Sequence, residues 1–175
     1  KISTGGVKSL SVTLDTLGAF GRTVSDVALA VAAMSADHDL AKIDPLDHKV
    51  RIGICKTSDF AMAQEETIAA LSLASFAAKP FAKNGVPDIT LPHSCDKLSE
   101  IQTQIMLFEM AKSFTFEKLN HFDQISETLS LILKQGDLIS YSQYSASITQ
   151  TQLARSDLYR AFEDQYDILI APSAI

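Results

Sequence analysis

A helix-rich α/β fold, in which helices flank a small mixed sheet, is what this sequence predicts. Two short β-branched runs, at residues 50–55 and 86–92, bracket a helical stretch at 64–84, the order of a strand-helix-strand crossover. A third such run closes the chain at 166–172, and apolar residues recur at helical spacing over much of the stretch between. A sheet of three or four short strands with one at the last residues reads as part of a larger sheet. Residues 1–175 are therefore expected to form one domain, and an incomplete one.

Residues 1–22 are rich in Ser, Thr and Gly, and Val7, Leu10, Val12 and Leu14 fit extended segments and turns. A helix is expected over 24–34. Thr23 or Ser25 can cap it, Asp26 sits in the first turn where the dipole favours a carboxylate, and residues 27–34 are apolar nearly all round, which predicts burial on most faces. An acidic, flexible connector around residues 37–49 ends it, with Pro45 as breaker. Residues 50–55 are too few for a helix and read as a buried strand. The next helix carries apolar residues at 68, 71, 73, 76, 77 and 81 and stops at Gly85. Pro87 cannot donate to a ladder, so the strand at 86–92 lies at an edge or starts late. Helices follow at 98–119, at 125–133 closed by Gly136, and at 140–165 with Leu153, Leu158, Ala161 and Phe162 as the inner stripe.

Composition narrows the function classes. Hydrophobic residues make up 46% of the chain and charged ones 21%, a globular rather than a disordered balance. A net charge of −6 without a basic face argues against a nucleic-acid partner. No run approaches the roughly 20 apolar residues of a membrane span, and the first six residues lack the apolar core of a secretory leader. Two cysteines, Cys55 and Cys95, are too few for a disulfide framework and point to a reducing compartment, the cytoplasm. The absence of an initial methionine points to a piece of a longer polypeptide.

Generic chemical motifs are missing: there is no glycine-rich phosphate loop, His-Glu-x-x-His or Gly-x-Ser-x-Gly elbow, and no cofactor is expected. His38 and His48 share the connector with Asp37, Asp39, Asp44 and Asp47, groups able to hold a divalent ion. No recognised ligand spacing accompanies them, so a solvated linker is the preferred reading and no metal is expected. His93 and Cys95 can be read as base and nucleophile, or more simply as a loop residue and a small hydrophobe. Cys55 reads as a buried apolar residue and His121 as part of an interhelical connector.

One run is more specific. Residues 10–29 contain Leu14-Asp15-Thr16-Leu17-Gly18, then Arg22-Thr23-Val24-Ser25-Asp26-Val27-Ala28-Leu29. This resembles the amidase signature family, in which Ser-Leu-Asp-Thr-x-Gly-Pro-x-Ala-Arg-Thr-Val-x-Asp-Ala-Ala-Leu follows a serine-rich signature. Val50-Arg51-Ile52-Gly53-Ile54, a helix, Gly85 and Ile89-Thr90-Leu91-Pro92 are similar to that family's strand-helix-strand segment. Tyr144-Ser145-Ala146, a long helix and Tyr166-Asp167-Ile168-Leu169-Ile170-Ala171-Pro172 are similar to its closing Tyr-Asp-x-Leu-x-x-Pro strand. The likeness spans essentially all 175 residues. Ala19 stands where the family has proline, Gly21 where it has alanine, and Ser173 where threonine is common.

The resemblance implies a hydrolase that cleaves the C–N bond of a small-molecule carboxamide through a serine nucleophile, a second serine in a cis peptide, and a lysine. In the family those groups precede the segment matched here, so the resemblance assigns no catalytic residue to this chain and predicts that it is inactive alone. It gives Pro172 and Ser173 a place in the substrate cavity, and Asp15 and Arg22 a supporting role in which they pair across the Gly18 turn or each bond local backbone. Within the same fold the parent can also be the A subunit of a tRNA-dependent amidotransferase. From other classes come a noncatalytic scaffold and an unrelated ligand-binding domain. Apolar surface left uncovered predicts a homodimer, or poor order over the first twenty or so residues.

Overall fold

The computed structural model describes residues 2–45 and 47–173. In chain order its elements are α1 (Val24–Ser35), β1 (Ile52–Cys55), α2 (Glu65–Ala78), β2 (Asp88–Ile89), α3 (Leu98–Ser113), α4 (Thr115–Asn120), α5 (Glu127–Asp137), α6 (Tyr141–Asp164) and β3 (Ile168–Ile170), with short 3-10 turns between several of them. The chain divides into two compact units, Lys1–Pro45 with Ser99–Ile148, and Leu46–Leu98 with Thr149–Ile175. No helix among the described residues is long and apolar enough to cross a membrane.

The first unit is helical. Thr23 caps α1 as its sequence implies: its hydroxyl accepts from the Asp26 N–H at 3.2 Å while the Asp26 carboxylate accepts from the Thr23 N–H, a reciprocal box that satisfies two amides. Only Ala32 of α1 is buried, and Val24, Leu29 and Met34 are exposed, so the expected burial on most faces is not found. The unit's tightly buried residues lie elsewhere: Ile105 and Ala111 on α3 and Leu133 on α5 are at most 1% exposed. Gly136, expected to stop α5, lies inside it and lets α3 come close. A Cβ there would stand 2.1 Å from the Leu107 carbonyl oxygen and 2.8 Å from the Ala111 Cβ. The helix expected over 98–119 breaks at Phe114, where the Thr115 hydroxyl donates to the Lys112 carbonyl at 2.7 Å and competes with the backbone ladder.

Side-chain hydrogen bonds hold residues 8–15. Glu109 is the anchor. Its carboxylate accepts from the Ser11 hydroxyl at 2.6 Å, the Thr13 N–H at 2.9 Å, the Thr13 hydroxyl, and the Tyr144 hydroxyl at 2.7 Å. Tyr144 stacks on Phe108 at 4.3 Å, Ser113 donates to the Ser9 carbonyl, and Lys8 reaches the Ser113 carbonyl and Glu117. Burial pushes the Glu109 carboxyl up, but the donors from Ser11, Thr13 and Tyr144 outweigh it and hold it below the ordinary glutamate value.

The second unit contains the sheet. Its order is β2-β1-β3 with every pairing parallel, rather than mixed; helical connections between successive strands permit that direction. All four β1 residues are buried. Pro87 delays β2 to residue 88 and puts it at an edge, while its carbonyl accepts from the Ile54 N–H at 2.8 Å. Pro80 ends α2 earlier than expected, since its ring lacks a donor and clashes with the preceding turn, and residues Lys79–Phe81 tighten into a 3-10 turn. Val50, Ile52 and Ala82 form a small core with Ala78, Val86 and Ile170 against it.

Two substitutions test this packing. Gly136→Ala should destabilise by about 1–3 kcal/mol through overpacking, against the gain of up to about 1 kcal/mol that helix propensity alone would give. A urea midpoint equal to or above that of the parent would contradict the close approach. Glu109→Gln should cost about 1–3 kcal/mol at neutral pH because the amide turns a donor toward donors. Glu109's native value lies below its ordinary 4.5. Its contribution is therefore complete above pH 4.5 and fades as pH falls through the lowered native value. Urea melts from pH 7 to 3 should show that part of the slope in the parent and not in the variant.

Candidate functional site

Parallel strands all end on one edge of their sheet, and in the order β2-β1-β3 the chain passes from β1 to β2 on one side and then crosses back to place β3 on the other. The crevice at the carboxyl ends of two such strands is where open α/β sheets collect ligands, because no helix closes it. Here β3 runs on into Ala171, Pro172 and Ser173, which with Thr67, Ala70, Leu71 and Ala74 of α2 line a cavity of about 340 Å³. Pro172 and Ser173 thus lie on a concave surface. Residues 67, 70, 71 and 74 recur at helical spacing and, Leu71 apart, are small, a pattern that could have marked this face of α2 in the sequence.

The position of β3 is set by the residues before it. The Asp167 carboxylate accepts from the Arg51 backbone N–H and from its guanidinium, both at 2.7 Å, and another guanidinium N–H donates to the Asp164 carbonyl at 2.9 Å. The Arg51 side chain beside it is the main reason the Asp167 carboxyl lies at about 2. Tyr166 lies against Gly53: a Cβ at 53 would meet its ring at 3.0 Å and the Ile89 side chain at 2.5 Å. Arg51-x-Gly53 and Tyr166-Asp167 are therefore one mutual fit read from two places in the chain.

The cavity is chemically quiet. Among the described residues its lining offers the Thr67 and Ser173 hydroxyls and apolar walls, with no carboxylate, imidazole, amine or thiol. Such a surface can orient an uncharged group but has nothing to take up a proton at neutral pH.

The other candidates do not converge on it. Asp15 accepts from the Ser9 hydroxyl and the Leu10 and Ser11 N–H groups at 2.7–3.1 Å, and the Ser9 bond leads in holding its carboxyl below the ordinary value. Its pairing with Arg22 is not formed; Arg22 is exposed and enters no ion pair among the described residues. His93 points its ring at Asp96, and Cys95 is buried, so the two do not make a base and nucleophile. Burial pushes both thiols up, which keeps Cys55 and Cys95 protonated and inert. His48 bonds Asp47 at 2.7 Å, and no group of three potential ligands able to hold a metal ion occurs among the described residues. His121 stacks obliquely on Phe116.

Comparison with known proteins places the fold. A crystal structure described as an amidase superposes with a TM-score of 0.72 at 18% identity, over 90% of this chain and 35% of that one. A second, with a TM-score of 0.72 at 19% identity, covers 95% of this chain and 39% of that one. It is an inhibitor-bound complex described as an unexpected vestigial protein complex revealing the evolutionary origins of an s-triazine catabolic enzyme. No family model and no curated protein matches the chain. The fold is amidase-like, and the chain spans little more than a third of these two structures.

Asp167→Asn tests the clamp. The native carboxyl at about 2, against an ordinary 3.8, contributes stability that is complete above pH 3.8 and disappears as pH falls through about 2. The variant should have a lower urea midpoint at pH 7 and a flatter profile between pH 4 and 2. A midpoint unchanged at pH 7 would show the pair to be too solvated to hold β3.

Proposed function

We propose that this chain is one partial domain of an amidase-type hydrolase of the amidase signature family, acting on the C–N bond of a small carboxamide. Its own part is to form a wall of the substrate cavity. The observation that carries this reading is the closing strand: Tyr166-Asp167-Ile168-Leu169-Ile170-Ala171-Pro172 ends at a depression at the carboxyl edge of a parallel sheet, in a fold shared with a solved amidase. Thr67 and Ser173 offer hydroxyls that can donate to an amide oxygen or accept from its N–H₂, and the alanines and Leu71 offer room for an acyl group.

Proton transfer on this reading belongs to a serine, a second serine and a lysine that this chain does not supply. A serine hydroxyl needs a base to become a nucleophile, and a desolvated lysine can remain neutral near pH 7 to serve as one. Backbone N–H groups would stabilise the tetrahedral oxyanion. Exposed apolar residues such as Phe20, Val24, Leu29 and Phe76 support association with further protein, a second copy included. The same fold would serve an amidotransferase A subunit. A noncatalytic scaffold is the second reading, favoured by a cavity lining that shows no ionisable group among the described residues.

The 175-residue chain should release no ammonia from acetamide, hexanamide or benzamide above the buffer rate. Turnover abolished by replacing any one of its serines would overturn the assignment. In the product of the whole reading frame, Ser173→Leu should raise KM several-fold with little change in kcat. Amide hydrolysis indifferent to that substitution would remove Ser173 from the cavity wall, and no hydrolysis in the unmutated product would favour the scaffold.

A further inference from the structure

α2 turns a second face to a second cavity, of about 370 Å³, between the helix and the β1–β2 side of the sheet. Its walls include the rings of Phe60 and Phe76, and its charged groups are Lys56, Lys79 and Asp88. The two ammonium groups stand over those rings, Lys56 at 5.3 Å from the Phe60 centroid and Lys79 at 5.7 Å from that of Phe76. They are not equivalent. Asp88 is ion-paired with Lys56, whereas among the described residues no carboxylate pairs with Lys79. Ser75 adds a hydroxyl without a hydrogen bond among the described residues. The lining therefore carries one uncompensated positive charge in a chain of net charge −6.

We propose that this cavity binds a small aromatic carboxylate. An ammonium held by the negative face of a ring is fixed at the lip of an apolar wall, so an anion that pairs with it gains most if it brings an apolar group to the same wall. A neutral ring leaves Lys79 without a partner. Inorganic phosphate leaves both phenylalanines unused and finds neither an arginine fork nor a helix N-terminus in the lining. A monoanion with a ring satisfies every group: the carboxylate takes the Lys79 ammonium and the Ser75 hydroxyl, and the ring lies against the phenylalanines. The inference stands apart from the amidase reading, because none of the three residues Lys79, Ser75 and Phe76 lines the Pro172–Ser173 cavity.

The test is a titration of the ¹⁵N-labelled chain, at constant ionic strength, with sodium benzoate, benzamide and sodium phosphate. Benzoate should give saturable shifts concentrated at the lining residues, with benzamide and phosphate at least tenfold weaker. Lys79→Gln, at an exposed position, should weaken benzoate at least fivefold and leave benzamide unchanged. Ser75→Trp should fill the cavity and abolish benzoate binding; if that variant does not fold, Lys79→Gln alone decides. Benzoate without saturable shifts at these residues overturns the proposal, as does affinity indifferent to Lys79→Gln. Equal binding of phosphate denies the ring its role, and equal binding of benzamide denies the charge its role; either also overturns it.

Discussion

One carboxylate holds the sheet in register. Asp167 lies just before β3 and receives both the backbone and the side chain of Arg51, just before β1, so the two strands begin side by side and run parallel. An ion pair at this level of exposure gives little energy by itself. Its worth is geometric: the guanidinium's donors also reach the end of α6 through the Asp164 carbonyl, and Tyr166 fills the space that Gly53 leaves open. From that fit follows the place where β3 ends, and with it the concave surface carrying Pro172 and Ser173.

Much of this was legible in residue order. The Thr23/Asp26 box, the buried run at β1 and the delay that Pro87 imposes on β2 are local effects, and local effects are written in neighbouring residues. What escaped depended on contacts between distant residues. Gly136 reads as a helix stop from its neighbours, and only the approach of Leu107 shows why a side chain is excluded there. α1 reads as buried from its composition, yet only Ala32 is buried and Val24, Leu29 and Met34 are exposed. The cavity lining was half legible: the Tyr-Asp-x-Leu-x-x-Pro strand marks Pro172 and Ser173, but Thr67, Ala70 and Ala74 lie about a hundred residues away with nothing to tie them to it.

Asp15 and Glu109 show how the same chemistry can be arranged at short and long range. Asp15 gathers donors from residues 9, 10 and 11, a closed local turn that needs no cation. Glu109 gathers them from residues 11, 13 and 144 and so joins segments about a hundred residues apart. Burying a carboxylate is costly unless its lone pairs are met, and here hydroxyls and an amide meet them instead of an opposite charge. A hydroxyl donor carries no charge for salt to screen, so the Glu109 part of the opening segment's attachment is insensitive to ionic strength, unlike the exposed Lys8–Glu117 pair.

Among the described residues β2 has two residues and β3 three, and both lie at edges of the three-stranded sheet. A ladder that short offers an incoming strand too few amides to template growth, which is how natural sheets avoid fibrous association. The exposed apolar surface of α1 and α2 is of another kind, made of side chains such as Val24, Leu29, Leu73 and Phe76 rather than of open backbone.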